Sequence, residues 1–176
     1  MPPKKQKDLS DNSVYNFYDN AEVQKLTPKY ENPNFHIHGI DLPFRACIVA
    51  PSGTGKTQFV LNLIAKMSDT FGHITVCYKA SEPLYEFLGN KIGGENITFY
   101  TSLAKLPQPN DIEHKNVQQL IIFDDLVNES EKAQAVIKEY FLRARKIGKG
   151  ISLCYLSQSF FTVPKYIRNQ CSLLIT

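Results

Sequence analysis

A chain of 176 residues with 43% hydrophobic content is long enough for one α/β domain with an ordinary core and too short for two. A formal net charge of +3 is too weak by itself to specify a nucleic-acid partner. No run approaches the ~20 consecutive apolar residues of a membrane helix, and the polar N-terminus carries no signal-peptide pattern. Cys47, Cys77, Cys154 and Cys171 are widely spaced in apolar runs without a CxxC pair. That argues against zinc and for reduced, buried thiols in a cytosolic-type compartment.

Residues 1–33 read as a basic, flexible extension. MPPKKQK (1–7) is a solvated tail by composition, with a nonspecific DNA-touching arm as the sharper alternative. The aromatics of SVYNFYDN (13–20) suit packing on the domain or on a neighbouring subunit. FHIHGI (35–40) reads as a strand. His36 and His38 alternate on one face of it, and without a third ligand they suggest a structural role rather than a metal site.

The first chemical motif is APSGTGKT (50–57). It matches G-x-x-x-x-G-K-[ST] except at its first position, where Ala50 stands for glycine. CIVA (47–50) predicts the strand before it, and QFVLNLIAKM (58–67) the buried helix after it. In such a loop Pro51, Ser52, Gly53, Thr54 and Gly55 turn backbone N–H groups toward nucleotide phosphates. Lys56 reaches the β- and γ-phosphates, and Thr57 ligates Mg²⁺. The helix N-terminus adds its positive end. ATP and Mg²⁺ are therefore the expected cofactors, with alanine tolerable at a position that precedes the phosphate-wrapping residues.

HITVCYK (73–79) predicts a strand, PLYEFLGNKI (83–92) a short helix and NITFYT (96–101) another strand. LPQPNDIEHKN (106–116) is a loop. QLIIFDDL (119–126) is a buried strand ending in two acids. Asp124 is placed to hold Mg²⁺ with Thr57, and Asp125 to act on the attacking water as general base or orienter. Two strand signals between the phosphate loop and this acid pair predict a RecA-like nucleotide-binding fold of the additional-strand class. Its sheet should be mostly parallel with helices on both faces. Small GTPases are disfavoured, because NKIG (90–93) lacks the Asp of a guanine-reading N-K-x-D.

ESEKAQAVIKEYFLRARKIG (129–148) is helical. Arg143 sits four residues after Glu139, the spacing of an ordinary ion pair. Arg145 has no such partner and is the favoured arginine finger for a neighbouring subunit, with Arg168 in YIRNQ a second candidate. ISLCYLSQS (151–159) is a strand whose polar Gln158 is placed to sense the γ-phosphate or its water. PKYIRNQ (164–170) is a turn or short helix, and SLLIT (172–176) a last strand.

The ordered set APSGTGKT, LIIFDD, RARKIGKGIS, LSQS and VPKYIRNQCS resembles the genome-packaging ATPases of large DNA viruses and virophages, the poxvirus-type branch of the FtsK/HerA superfamily. The resemblance spans about residues 40–176, within a predicted ATPase domain of 34–176. It implies ATP hydrolysis, self-association into a ring, and translocation of double-stranded DNA into a capsid in a host cytoplasm, virus factory or virion. Carried over by position, it places Lys56 and Thr57 on nucleotide and metal, and Asp124 and Asp125 on metal and hydrolysis. Gln158 falls on the γ-phosphate, Arg145 or Arg143 on the neighbour's site, and Arg168 near the nucleotide. Members usually continue past such a last strand; in a truncated chain, DNA-contacting or ring-forming parts would be missing. A cellular HerA-type DNA pump and a nucleoside-kinase-like phosphotransferase are the alternatives. The Asp-Asp pair favours hydrolysis over the latter.

Overall fold

The computed structural model describes residues 16–176. The basic run 1–7 and the start of the aromatic stretch 13–20 lie outside them. Six parallel strands form one sheet: β1 (Arg45–Val49), β2 (His73–Tyr78), β3 (Ile97–Tyr100), β4 (Gln119–Asp124), β5 (Ile151–Ser157) and β6 (Leu173–Ile175), in the order β3-β2-β4-β5-β1-β6. β5 separates the phosphate-loop strand β1 from the acid strand β4, as the additional-strand reading expects.

The helices lie on both faces because the strands are apolar on both faces. Along β4, Leu120 and Ile122 pack with Ala46, Ile48 and Val76 under α3 (Lys56–Lys66) and α4 (Pro83–Ile92). The intervening Ile121 and Phe123 pack with Leu153 and Tyr155 under α5 (Glu131–Arg143) and α6 (Lys165–Gln170). All six β4 residues are buried. Strand alternation therefore assigns Asp124, two residues after Ile122, to the α3/α4 side.

The N-terminal segment carries α1 (Ala21–Leu26), capped by the Asn20 side chain. Farther on, the Glu31 backbone exchanges bonds of 2.7 and 2.8 Å with the Gln118 side chain. The expected strand at 35–40 is instead a single helical turn, α2 (Phe35–His38), so His36 and His38 do not share a strand face. Gly39 closes the turn at φ 65° with its N–H on the Phe35 carbonyl, a left-handed stop that glycine makes cheaply. Asn34 ties the turn to the end of α3 by donating to the Ser68 carbonyl at 2.8 Å. Alternation over six residues could not anticipate that local closure.

The helix expected over 129–148 ends earlier. Ser130 caps it, α5 stops at Arg143, and a tighter 3₁₀ turn covers Ala144–Lys146. Arg45 reaches the last turn and donates to the Phe141 carbonyl at 2.9 Å, satisfying a terminal acceptor. No disulfide joins the cysteines. Among the described residues no helix is long and apolar enough to cross a membrane.

Candidate nucleotide-binding site

The chain leaves β1 toward α3 on one face of the sheet, and leaves β4 and β5 toward α5 and α6 on the other. A cleft opens at the carboxyl ends of the strands where these paths diverge, the usual ligand position in such sheets. Its volume is about 560 Å³, and its lining includes Ser52, Gly53, Gly55, Lys56, Thr57, Asp124, Asp125 and Gln158. Three stretches far apart in sequence thus meet in one place.

The loop geometry follows its residues. Gly53 and Gly55 have φ of 75° and 97°, where a side chain is strained. Ala50 has no positive φ, and its N–H donates to the Ser157 carbonyl at 3.1 Å, so its methyl imposes no strain. Thr54 closes the loop by donating to the Pro51 carbonyl at 2.7 Å. The Lys56 ammonium is held over the mouth by the carbonyls of Ala50 at 2.8 Å and Pro51 at 3.0 Å. No side chain caps α3, which leaves its first N–H groups directed at the cleft.

Asp124 is 8% exposed and accepts a 2.6 Å hydrogen bond from the Tyr85 hydroxyl on its Oδ2. Burial raises its pKa above the usual carboxylate range. The Tyr85 bond and Lys56 oppose the shift, and the carboxylates of Glu82 and Asp125 add to it. Thr57 and Asp124 line the same cleft. Burial and the Asp124 carboxylate raise the Tyr85 pKa, and the Thr57 side chain opposes that rise. Asp125 follows in the left-handed conformation, φ 52°, and its N–H donates to the Leu156 carbonyl at 3.1 Å. Gln158, one residue past the end of β5, donates to Asp125 Oδ2 at 2.7 Å.

The arginines lie elsewhere, and none lines the cleft among the described residues. Arg143 makes the i,i+4 pair with Glu139 at 2.8 Å. Arg145 is exposed on the turn after α5 and lies near Arg45, whose pKa is lowered first by burial and second by the Arg145 charge. Arg45 begins β1 and the phosphate loop follows its end, so Arg145 occupies the opposite edge of the sheet and cannot serve its own cleft. Arg168 stacks its guanidinium over Phe160 at 5.1 Å.

Sequence reasoning missed Tyr85, Glu82 and the pair Lys79–Glu129, bridged at 2.8 Å beside the cleft. A tyrosine in the apolar stripe of a short helix was the available signal for the first, because a buried hydroxyl requires a polar partner. Glu82 and Lys79 had no local signal.

The donor set suits a magnesium nucleotide. A hydroxyl and a carboxylate, Thr57 and Asp124, are hard oxygen ligands. The cleft sets two lysines, Lys56 and Lys79, against four carboxylates, Asp124, Asp125, Glu82 and Glu129. A polyphosphate there needs further positive charge.

No protein-family model matches the chain, and no curated protein matches it in sequence. Its fold does match solved structures. EssC (ATPases 2 and 3) from Geobacillus thermodenitrificans aligns with TM-score 0.55 at 10% identity, over 77% of this chain and 33% of that one. The ATP synthase subunit NeqB from Nanoarcheaum equitans aligns with TM-score 0.50 at 13% identity, over 85% and 53%. The chain thus spans about a third of the one and about half of the other. These likenesses show the fold, and it is that of the RecA-like P-loop ATPases.

Proposed function

We propose that this chain binds Mg²⁺–ATP and hydrolyses it as a ring-forming translocase that packages viral double-stranded DNA into a capsid. The observation that carries the hydrolytic part is the 2.7 Å bond from Gln158 to Asp125, inside the cleft that also holds the phosphate loop. A second acid held beside the metal-side acid is what activation of water requires, whereas a kinase needs its acceptor bound and its phosphates clamped by arginines.

In this reading the loop N–H groups and Lys56 bind the phosphates, and Thr57 and Asp124 hold Mg²⁺. When bound, Mg²⁺ neutralises charge on the β- and γ-phosphate oxygens. Asp125 orients the attacking water and accepts its proton, and Gln158 keeps that carboxylate in place. The excess of carboxylates calls for a cation from outside the chain. Arg145 of a neighbouring subunit meets that need: it is exposed, unlike Arg143 it has no Glu139 partner, and it cannot reach its own site. Arg168, stacked over Phe160, is the second candidate.

The DNA, ring and capsid parts rest on the resemblance in motif order across residues 40–176. Lys146 and Lys149 are exposed together and suit a phosphate-based, salt-sensitive grip. Action in a host cytoplasm, virus factory or virion follows from the same resemblance.

The test is phosphate release from ATP with and without double-stranded DNA, beside Lys56→Ala, Asp125→Asn and Arg145→Ala. The proposal expects DNA stimulation, no turnover in the first two variants, and recovery when Arg145→Ala is mixed with Lys56→Ala. Hydrolysis that ignores DNA, with no recovery on mixing, refutes the translocase part. Nucleotide binding without hydrolysis refutes the ATPase part.

A further inference from the structure

Tyr85 is 1% exposed, and its ring stacks on Tyr78 with centroids 5.3 Å apart and planes 21° apart. Phenylalanine would fill that space as well. The hydroxyl is what phenylalanine lacks, and it points at a single carboxylate oxygen, Asp124 Oδ2, at 2.6 Å. The ring is held from two directions, by the stack and by the buried stripe that Tyr85 shares with Leu88 on α4. The hydroxyl therefore has little freedom.

We propose that Tyr85 is a positioning residue for the divalent cation: by engaging Oδ2 of Asp124 it holds the carboxylate in place and leaves the other oxygen for the cation that Thr57 also ligates. The proposal rests on the reading of this cleft as a Mg²⁺–nucleotide site. It makes metal binding depend on α4, a helix that contributes no ligand. It also explains why a buried acid stands among the carboxylates of Glu82 and Asp125. One of its oxygens is satisfied by the hydroxyl, and the other is left for the cation.

The experiment is a fluorescent-ADP titration of the full chain at a series of Mg²⁺ concentrations, and again in EDTA. Tyr85→Phe keeps the ring and deletes the hydroxyl. The expected result is an increase of about 10- to 100-fold in the Mg²⁺ concentration for half-maximal effect, the usual cost of losing a group that orients a metal ligand. Nucleotide affinity in EDTA should not change. Tyr140→Phe is the matched control. It removes a hydroxyl donating to the Pro107 carbonyl at 2.8 Å, away from the cleft, and should leave the Mg²⁺ dependence untouched. In an Asp124→Asn background Tyr85→Phe should add nothing further, because the two act through one carboxylate.

An unchanged Mg²⁺ dependence in Tyr85→Phe overturns the proposal and leaves Tyr85 a packing residue. An equal loss in EDTA overturns it too, since the defect is then not in the metal. If the unmodified chain binds no nucleotide in either condition, the underlying reading of the cleft fails instead, and the proposal with it.

Discussion

Removing the Gln158 amide tests whether Asp125 is the acid that handles water. Gln158→Ala deletes a 2.7 Å bond to a carboxylate oxygen. A hydrogen bond to a charged group is worth about 1.5–3 kcal/mol when dry. Gln158 is exposed, so water competes for the carboxylate and the low end applies. At about 1.36 kcal/mol per factor of ten in rate, kcat should fall by about 5- to 20-fold. KM for ATP should stay within about twofold, because the bond orients a group that acts in the transition state rather than one that binds the ground state. Gln158→Glu should be worse, because it sets a second carboxylate against Asp125. The assay is steady-state phosphate release over a range of ATP concentrations at saturating Mg²⁺. A KM that rises with kcat intact would mean that Gln158 only binds nucleotide, and an unchanged kcat would mean that Asp125 is placed without it. Either result refutes the assignment.

Two further outcomes are expected. Gly55→Ala meets no atom closer than the Gln58 Cβ at 4.0 Å, so its cost is backbone strain at φ 97°, about 1–2 kcal/mol. The melting temperature should drop by a few degrees and nucleotide affinity with it, whereas Ala50→Gly should leave affinity unchanged; equal effects from the two would contradict the loop geometry. Stability should also fall with acid through His73. Burial first, and the His114 ring stacked at 4.0 Å second, hold its pKa below the ordinary value. The native state therefore binds the proton less readily than the unfolded chain does. Stability is full above about pH 6.5 and declines as the pH falls below it, because the unfolded chain takes up a proton that the native state resists. Thermal melts from pH 8 to pH 5 should show a shallower decline for His73→Gln, and parallel curves would remove His73 as the cause.

Much of the site was legible because its chemistry is local. Lys56 and Thr57 follow two glycines between an apolar strand and a helix with one buried face, the setting of a phosphate loop. Asp124 and Asp125 were legible as polar residues ending a strand that is otherwise buried. Gln158 was legible for the same reason. The 35–40 segment was misread because period-two alternation over six residues competes with a one-turn helix, and Gly39 with the Asn34–Ser68 bond decided for the helix.

From β1 onward the sequence by itself determined the order of the strands and main helices, the phosphate loop and the two acids, since each follows from residues within a few positions of one another. Only the tertiary structure decided what those acids touch. Strand parity sends Asp124 to the α3/α4 face, a left-handed turn sends Asp125 toward Gln158, and α4 brings in Tyr85 from a separate stretch of chain. It also separated Arg145 from its own cleft by the height of the sheet. Such relations depend on distances between elements far apart in the chain, and no local pattern encodes them.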